Sequence, residues 1–212
     1  MDVFVLDTTA ITEARIRRDM GGASLEEAAR RIAELIREAR IKAGARFYMA
    51  PSTWVELKKL LEGNNVGHDV IVELAAWITV KAPDRHSIMI PAVVFREYVT
   101  EVRKRMYRGL RVAEQAVKRA ARDCNNEQGD ECIGELIRDV RDKYREATRK
   151  GLLDSSEDLD SILLALETRG VLVTSDEGMK RLAEQLGIIV VDPADFVASL
   201  ERILKAFSGE KS

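Results

Sequence analysis

The sequence predicts an α/β fold in which a central, mostly parallel sheet lies between two helical layers and carries an inserted antiparallel helical hairpin. Two short runs of β-forming residues, Val3–Leu6 and Val171–Val173, each end in small polar residues and an aspartate. Segments with apolar residues three and four positions apart follow such runs, as is typical of helices in a doubly wound sheet. From residue 93 to residue 150, two amphipathic helices are separated by one polar turn. Helices joined in this way pair antiparallel.

The first half of the chain predicts two strands and four helices. Gly21-Gly22 ends the first helix, and Ser24-Leu-Glu-Glu opens the next one with a capping box. Pro51-Ser52 marks the start of a third helix after the second strand. The expected elements are a strand at 3–6, a helix at 8–20, a helix from 24 to about 44, a strand at 46–50, and helices at 53–61 and 69–78.

The second half predicts the hairpin and then the rest of the sheet. The hairpin helices are expected at 93–123 and 131–150, and one apolar stripe of the first is formed by Val99, Val102, Met106, Leu110, Ala113 and Val117. A helix at 156–169, a strand at 171–174, a helix at 177–186, a strand at 188–191 and a helix at 193–207 complete the chain. Residues 1–92 and 151–212 are thus expected to form one domain, and residues 93–150 the inserted hairpin.

Composition is that of a chain able to bury a full core. The 212 residues are 46% hydrophobic and carry a net charge of −2. No stretch approaches the roughly 18 consecutive apolar residues of a membrane helix, and the N-terminus opens with an acid and enters a strand directly. These features lead us to expect a cytoplasmic protein. Cys124 and Cys132 lie at either side of the hairpin turn. Reduced thiols are favoured for them, and a disulfide is the alternative.

Acidic residues recur at places that a parallel sheet brings together. Asp7 and Asp176 follow strands, and Asp154, Asp158 and Asp160 fall within seven positions before or in one helix. Asp154 and Asp158 share a helix face, whereas Asp160 is rotated by roughly half a turn. Carboxylates that converge repel one another, and hard oxygen ligands without a local Cys or His indicate Mg²⁺ or Mn²⁺. An alternative for each residue alone is helix capping, by Asp7, Asp176 or the box Ser155-x-x-Asp158.

These motifs resemble the PIN-domain nucleases. The resemblance rests on strand-Asp-Thr-Thr at the start, Asp160-Ser-Ile-Leu-Leu-Ala, and Leu172-Val-Thr-Ser-Asp176. The order of further segments across residues 1–205 is similar to that of HARP, the small protein-only ribonuclease P family. The segments that carry this likeness are Phe47-Tyr-Met-Ala-Pro-Ser, Gly109-Leu-Arg-Val-Ala-Glu, Lys143-Tyr-Arg-Glu-Ala, Gly151-Leu-Leu-Asp154-Ser-Ser-Glu-Asp158 and Ser175-Asp-Glu-Gly178.

The resemblance implies a metal-dependent endoribonuclease that removes the 5′ leader of precursor tRNA. It implies Mg²⁺, with Mn²⁺ as a substitute, and homo-oligomers built through the helical parts. The implied catalytic and metal-binding set is Asp7, Asp154, Asp158, Asp160 and Asp176, with Glu56 as a further metal ligand.

The first hairpin helix carries a dense block of positive charge. Eight bases and one acid, Glu114, lie between residues 103 and 122. A phosphate-binding surface explains charge of one sign at this density, whereas a solvated helix face explains mixed charge. No aromatic residue is expected on this face, which favours recognition of the RNA backbone or shape. The predicted RNA-binding residues are Arg103, Lys104, Arg105, Arg108, Arg111, Lys118, Arg119 and Arg122.

Three other functions compete with this reading. Another PIN-type endoribonuclease, toxin-like or acting on ribosomal RNA, would share the carboxylates and differ in substrate. A non-catalytic RNA-binding partner of an RNA ligase would need no cluster of aspartates. A phosphatase of the haloacid-dehalogenase type is disfavoured because its chemistry needs an acid two residues after Asp7, where the chain has Thr9.

Overall fold

The computed structural model describes residues 2–124, 129–149 and 155–207. In this part of the chain there are five strands and ten helices. The strands are β1 (Val3–Leu6), β2 (Arg46–Met49), β3 (Thr79–Val80), β4 (Val171–Val173) and β5 (Val190–Val191). The helices are α1 (Thr9–Thr12), α2 (Ala14–Asp19), α3 (Leu25–Ala43), α4 (Pro51–Gly63), α5 (His68–Trp77), α6 (Ala92–Asp123), α7 (Gly129–Arg149), α8 (Ser156–Thr168), α9 (Glu177–Gln185) and α10 (Pro193–Phe207).

The five strands form one sheet in the order β3-β2-β1-β4-β5, and every pairing is parallel. This confirms the predicted α/β fold with helices around a central parallel sheet. The first three strands are added outward from β1 on one side, and β4 and β5 are added on the other side of β1. The order in which strands are added therefore reverses at the crevice between β1 and β4. In such sheets ligands bind at the carboxyl ends of the strands beside this reversal. Any site should therefore lie where β1 and β4 end.

The two faces of β1 pack against different helices. Phe4 stacks on Phe47 of β2 with ring centroids 5.5 Å apart, and its ring meets the edge of Phe196 of α10 at 5.3 Å. Because side chains alternate along a strand, the buried Val5 points to the opposite face. Helix α8 packs across β1, β2 and β4. Helix α8 therefore lies on one face of the sheet against its three central strands.

Local signals explain most helix boundaries. Ser24 and Glu27 form the predicted capping box of α3, and Gly44 ends that helix with φ +67°, a conformation that favours glycine. The single helix expected at 8–20 is wrong. Glu13 takes an extended ψ of 128° and its carboxylate accepts from Arg15 N, so the residue ends α1 and caps α2. Strand β3 was not predicted because two residues carry no periodic signal.

The chain forms two compact units, Met1–Met89 with Ser155–Ser212, and Ile90–Asp154. The domain limits of 1–92, 151–212 and 93–150 stay a prediction. Among the described helices, none is both long and apolar enough to cross a membrane.

The second unit is a close helical hairpin. At Gly109 of α6, an added Cβ would lie 2.5 Å from the Tyr144 ring of α7, so the two helices approach closely at this point. Cys124 and Cys132 form a disulfide, and the favoured expectation of reduced thiols is therefore wrong. The bridge connects the C-cap of α6 to the first turns of α7.

The apolar stripe predicted for the first hairpin helix lies partly in solvent. The side chains of Met106, Leu110 and Val117 are 68%, 54% and 69% exposed. Their exposure means that these side chains do not form the contact with α7. The smaller side chains at Val112 and Ala116, a helix turn or two beyond Gly109, are half-buried instead. The sequence periodicity predicts the apolar stripe, but it does not show which side chains of α6 contact α7.

Candidate active site

Asp7 and Asp176 lie at the strand ends where the sheet changes direction. Asp7 continues the ladder beyond β1, because its N–H donates to Val173 O of β4 at 3.1 Å. Asp176 follows β4 after two residues and is the N-cap of α9, where its Oδ1 accepts from Met179 N at 2.7 Å. The capping alternative is therefore correct for Asp176, and capping uses only one of its two oxygens. The other oxygen stays available to a ligand at the same edge.

Two threonines hold the buried Asp7 carboxylate. Thr9 Oγ1 and Thr174 Oγ1 donate to Asp7 Oδ2 at 2.8 Å and 3.0 Å. Both hydroxyls also accept: Ser175 N donates to Thr9 Oγ1 at 3.0 Å, and Asp176 N donates to Thr174 Oγ1 at 3.1 Å. Within the described residues Asp7 Oδ1 receives no hydrogen bond. The carboxylate is thus fixed through one oxygen and presents the other.

Neither threonine was singled out as a site residue from the sequence. In the sequence, Thr9 stands out only as a candidate helix cap, as part of the Asp-Thr-Thr motif and as the non-acidic residue that disfavours a phosphatase, and Thr174 only as part of the Thr-Ser-Asp segment. A usable signal did exist, because a small hydroxyl residue stands two positions from each strand-end aspartate. That spacing allows a hydroxyl to reach a carboxylate or a backbone N–H of the neighbouring strand end.

Asp158 lies in the first turn of α8 and interacts electrostatically with the other carboxylates. Its backbone N–H donates to the capping Ser155 Oγ at 3.1 Å, as the box motif predicted. Burial and, to a smaller extent, the negative charges of Asp7, Asp176 and Glu56 together raise the pKa of Asp158 to about 6, although the hydrogen bond with Ser155 acts in the opposite direction. The structure therefore brings four of the predicted acids into one electrostatic group.

Glu56 joins this group from α4. Its Oε2 accepts from Thr8 Oγ1 at 3.1 Å, which ties the second turn of α4 to the start of α1. Glu56 and Asp158 line the same open groove of about 760 Å³, between the N-terminal turns of α4 and α8. The hydroxyl contact fixes Oε2, and within the described residues Oε1 accepts no hydrogen bond. The role of Glu56 as a further metal ligand stays a prediction.

Two predicted ligands stand apart from this group. Asp154 lies outside the described residues. Asp160 is buried, and both of its oxygens are occupied by Arg85, whose Nε donates to Oδ1 at 2.9 Å and Nη2 to Oδ2 at 2.5 Å. Arg85 was not a candidate in the sequence, because a lone arginine in a loop carries no spacing signal. The role of Asp160 as a ligand stays a prediction.

The donor set is suited to a hard divalent cation. The four grouped acids offer only carboxylate oxygens, and no Lys or Arg of the described residues forms an ion pair with any of them. In residues 2–124, 129–149 and 155–207, no three His, Cys, Asp or Glu side chains already converge closely enough to hold one ion. The residues therefore fit a metal by their chemistry and by their mutual repulsion, which a cation would relieve.

The predicted RNA-binding residues lie on α6 in the second unit. Six of them are exposed, and Arg105 and Arg108 are half-buried. Arg108 has a structural role: its Nε donates to Ala147 O of α7 at 2.9 Å, and its Nη2 to Glu101 Oε1 at 3.0 Å. Arg119 pairs with Asp139 of α7. The exposed six are Arg103, Lys104, Arg111, Lys118, Arg119 and Arg122.

The expectation of no aromatic residue on this face is wrong. The Tyr107 ring is 58% exposed, and the Arg111 guanidinium carbon lies 6.0 Å from its centroid. The two residues are four positions apart and so share one helix face.

Comparison with known proteins identifies the family. A model of the PINc domain ribonucleases matches residues 3–205. A protein of Hyperthermus butylicus named RNA-free ribonuclease P is 50% identical over 96% of this chain and 89% of its own length. Proteins with the same name from Aeropyrum pernix and Ignicoccus hospitalis are 44% and 46% identical, over 96% and 95% of this chain and 94% and 95% of their own lengths.

These matches confirm the expectations of a PIN-domain ribonuclease and of kinship with the small protein-only ribonuclease P proteins. Ribonucleases with a PIN domain generally depend on a divalent metal ion. The grouped carboxylates at the β1 and β4 ends agree with that chemistry. The chain belongs to the PIN-domain ribonucleases and, among them, to the RNA-free ribonuclease P family.

Proposed function

We propose that this protein removes the 5′ leader of precursor tRNA by metal-dependent hydrolysis of one phosphodiester bond. The observation that carries this proposal is the group of four carboxylates at the reversal of a PIN-type sheet, in a chain that belongs to the RNA-free ribonuclease P family. The product would be a tRNA with a mature 5′ end and a separate leader fragment.

The proposed metal is Mg²⁺, for which Mn²⁺ can substitute, held by Asp7, Asp158, Asp176 and Glu56 together with Asp154. When bound, such an ion supplies Lewis acidity to an attacking water and offsets charge on the phosphate. Asp7 presents Oδ1, because the two threonine hydroxyls occupy Oδ2. Asp176 keeps one oxygen free while the other caps α9. These contacts hold the carboxylates in place before substrate arrives, which lowers the reorganisation needed for reaction.

The hairpin is proposed to bind the body of the tRNA. Six exposed basic residues of α6, Arg103, Lys104, Arg111, Lys118, Arg119 and Arg122, offer charges that phosphates can engage. Each engaged charge releases counterions from the RNA, which makes binding sensitive to salt. The exposed Tyr107 ring adds a surface on which a base could stack, next to Arg111.

Homo-oligomer formation is the second proposed use of the hairpin. The exposed apolar side chains of α6, Met106, Leu110 and Val117, form a stripe that a second copy could cover. Static light scattering of the purified protein tests this proposal, since a monomeric mass at working concentration would contradict it.

The deciding experiment incubates the purified protein and Mg²⁺ with a precursor tRNA and maps the 5′ ends of the products. We expect one cut at the junction of leader and mature tRNA, with hydrolysis abolished by chelation. Cuts elsewhere in this RNA or in ribosomal RNA would favour another PIN-type endoribonuclease. Tight binding without a cut would favour a non-catalytic RNA-binding partner.

A further inference from the structure

The loop after β3 is fastened to α8 at three points. Lys81 pairs with Glu167 near the end of α8, and Asp84 N donates to Glu167 Oε2 at 2.9 Å. The third contact is the two-bond pair from Arg85 to Asp160. Asp84 also accepts from His86 N at 3.1 Å, which closes a turn around Arg85. The Arg85 backbone is therefore held on both sides, and its guanidinium is fixed in orientation.

The Arg85–Asp160 pair is strongly asymmetric in exposure. The Arg85 side chain is 63% exposed, whereas the Asp160 side chain is 11% exposed. A guanidinium has five N–H groups, of which Asp160 takes two. The remaining three have no partner within the described part of the chain. Asp160 thus lies inward with its oxygens satisfied, and Arg85 points positive charge and free donors outward.

The position of this arginine matters because of the charges around it. Strand β3 lies beside β2 and ends at Val80, so its loop leaves the same carboxyl edge of the sheet as Asp7 and Asp176. Helix α8 starts at that edge, and Asp160 lies in its second turn, about half a turn around the helix axis from Asp158. An RNA strand that reaches the carboxylates must bring its phosphates against negative charge. A fixed, outward guanidinium at this edge offsets that repulsion and matches phosphate geometry with paired donors.

We propose that Arg85 binds a phosphate of the RNA substrate close to the scissile bond, and that Asp160 is the positioning residue that aims it. The inference rests on the proposed ribonuclease P function and adds a binding residue that the carboxylate group does not include. It also gives Asp160 a role other than metal ligation, because Asp160 could bind an ion only by releasing the guanidinium. The ligand is a non-bridging oxygen pair of one phosphodiester.

Single-turnover cleavage of precursor tRNA with one uncharged linkage at a time tests the contact. Each substrate carries a methylphosphonate beside a 2′-deoxy sugar at one position near the cut, and the plain deoxy linkage is its control. In the wild type we expect one position whose neutralisation raises the half-saturating protein concentration about tenfold to a hundredfold, the range for a hydrogen-bonded charge. Arg85→Ala should show a loss of that size on normal RNA and no further loss at that position.

The companion variants separate the contact from a structural role. Arg85→Lys keeps the positive charge but lacks the paired N–H donors of the guanidinium, so it should recover part of the affinity. Asp160→Asn should weaken the contact with the same phosphate. Arg31→Ala, which removes a cross-element ion pair with Glu201 on the α3–α10 side, is the matched control and should change neither value. Thermal melting of each variant shows whether it is folded at the assay temperature. If Arg85→Ala does not fold, Arg85→Lys carries the test.

The inference is overturned if, at every linkage tested, the loss of affinity from Arg85→Ala and the loss from the uncharged linkage simply add. It is also overturned if Asp160→Asn raises the Mg²⁺ requirement while both Arg85 variants bind and cleave as the wild type does, because Asp160 would then be a metal ligand. Failure of the wild type to remove the leader would instead overturn the proposed function, and the two failures are therefore distinct.

Discussion

At the carboxyl edge of the sheet, like charges are held close together by neutral donors, whereas along α6 like charges are spread over several turns and partly paired with acids. Thr9 and Thr174 fix Asp7 without neutralising it. On α6, by contrast, Arg108 and Arg119 are paired with acids of the hairpin itself. The comparison indicates that the edge is built for one small, highly charged ligand. The hairpin is suited to a long polyanion that meets many separate charges.

The largest effect expected at the edge is loss of catalysis without loss of binding. Asp7→Asn or Asp176→Asn removes a proposed metal ligand, and the rate of cleavage should fall by about a thousandfold or more. RNA affinity should be kept because the proposed phosphate contacts are made by basic residues elsewhere. Single-turnover cleavage and filter binding on the same precursor tRNA measure both quantities. Asp19→Asn, at an exposed position of α2, is the control, and normal cleavage by Asp7→Asn would refute the site.

On the hairpin, the reverse pattern is expected. Changing Arg103, Arg111 and Lys118 to Gln removes three exposed charges, so the slope of log affinity against log salt should fall by up to about three units. The maximal single-turnover rate should survive, provided light scattering shows an unchanged oligomer. The matched control is the triple Gln variant of three exposed arginines of α7, Arg138, Arg141 and Arg145. An intact oligomer with unchanged affinity and salt dependence would exclude α6 as the docking surface.

The disulfide should stabilise the hairpin and leave the sheet unit unaffected. Replacing Cys124 and Cys132 by Ser opens a short loop, which should lower the unfolding free energy of the hairpin by about 2 kcal/mol. Amide hydrogen exchange should become faster in α6 and α7 and stay unchanged in β1. Equal exchange in both proteins would contradict this, as would two free thiols found by non-reducing mass spectrometry of the native chain.

The smallest expected effect is a pH-dependent gain in stability at the edge. Because the pKa of Asp158 is raised from 3.8 to about 6, the folded chain keeps a proton between about pH 4 and pH 6 that the unfolded chain releases. This contribution to stability is complete below about pH 4 and lost as the pH rises through about 6. In metal-free buffer, Asp158→Asn should therefore be more stable by about 1 kcal/mol at pH 7.5, after allowance for its partial exposure.

Urea unfolding in the presence of a chelator at pH 4 and pH 7.5 measures this difference. The stability gain should be much smaller at the lower pH, where Asp158 is neutral in the folded chain and only about half ionised in the unfolded chain. A gain of the same size at both pH values would show that packing, and not repulsion among the carboxylates, is responsible.

Sequence alone predicted the features that depend on chain direction. Asp7 and Asp176 follow apolar strands, and a parallel sheet must place such residues at one edge. The capping motifs at Ser24 and Ser155 were also predictable, because they act over three residues. These signals are local or follow from topology, and no atomic packing is needed to read them.

Features that depend on one side chain meeting another were not predictable. The Arg85–Asp160 pair joins residues 75 positions apart, and neither sequence segment contains a signal that identifies the other residue as its partner. The exposure of the stripe containing Met106 and Val117 was not predictable either, because periodicity gives the direction of a helix face but not what covers it. The disulfide was not predictable, because the presence of two cysteines does not specify their oxidation state.

The hydroxyls around Asp7 give the strand ends a fixed order of donors and acceptors. Each hydroxyl has one proton, and each accepts from a backbone N–H while donating to Asp7 Oδ2. Among the residues that the structure describes, the Thr174 hydroxyl proton has one other acceptor within reach, the weakly accepting Met179 Sδ at 3.5 Å. Two chains of hydrogen bonds, one from Ser175 N and one from Asp176 N, therefore have the same donor-to-acceptor direction and both end at Asp7 Oδ2. Such a chain strengthens each member through polarisation, and it cannot reverse without leaving two peptide N–H groups unpaired.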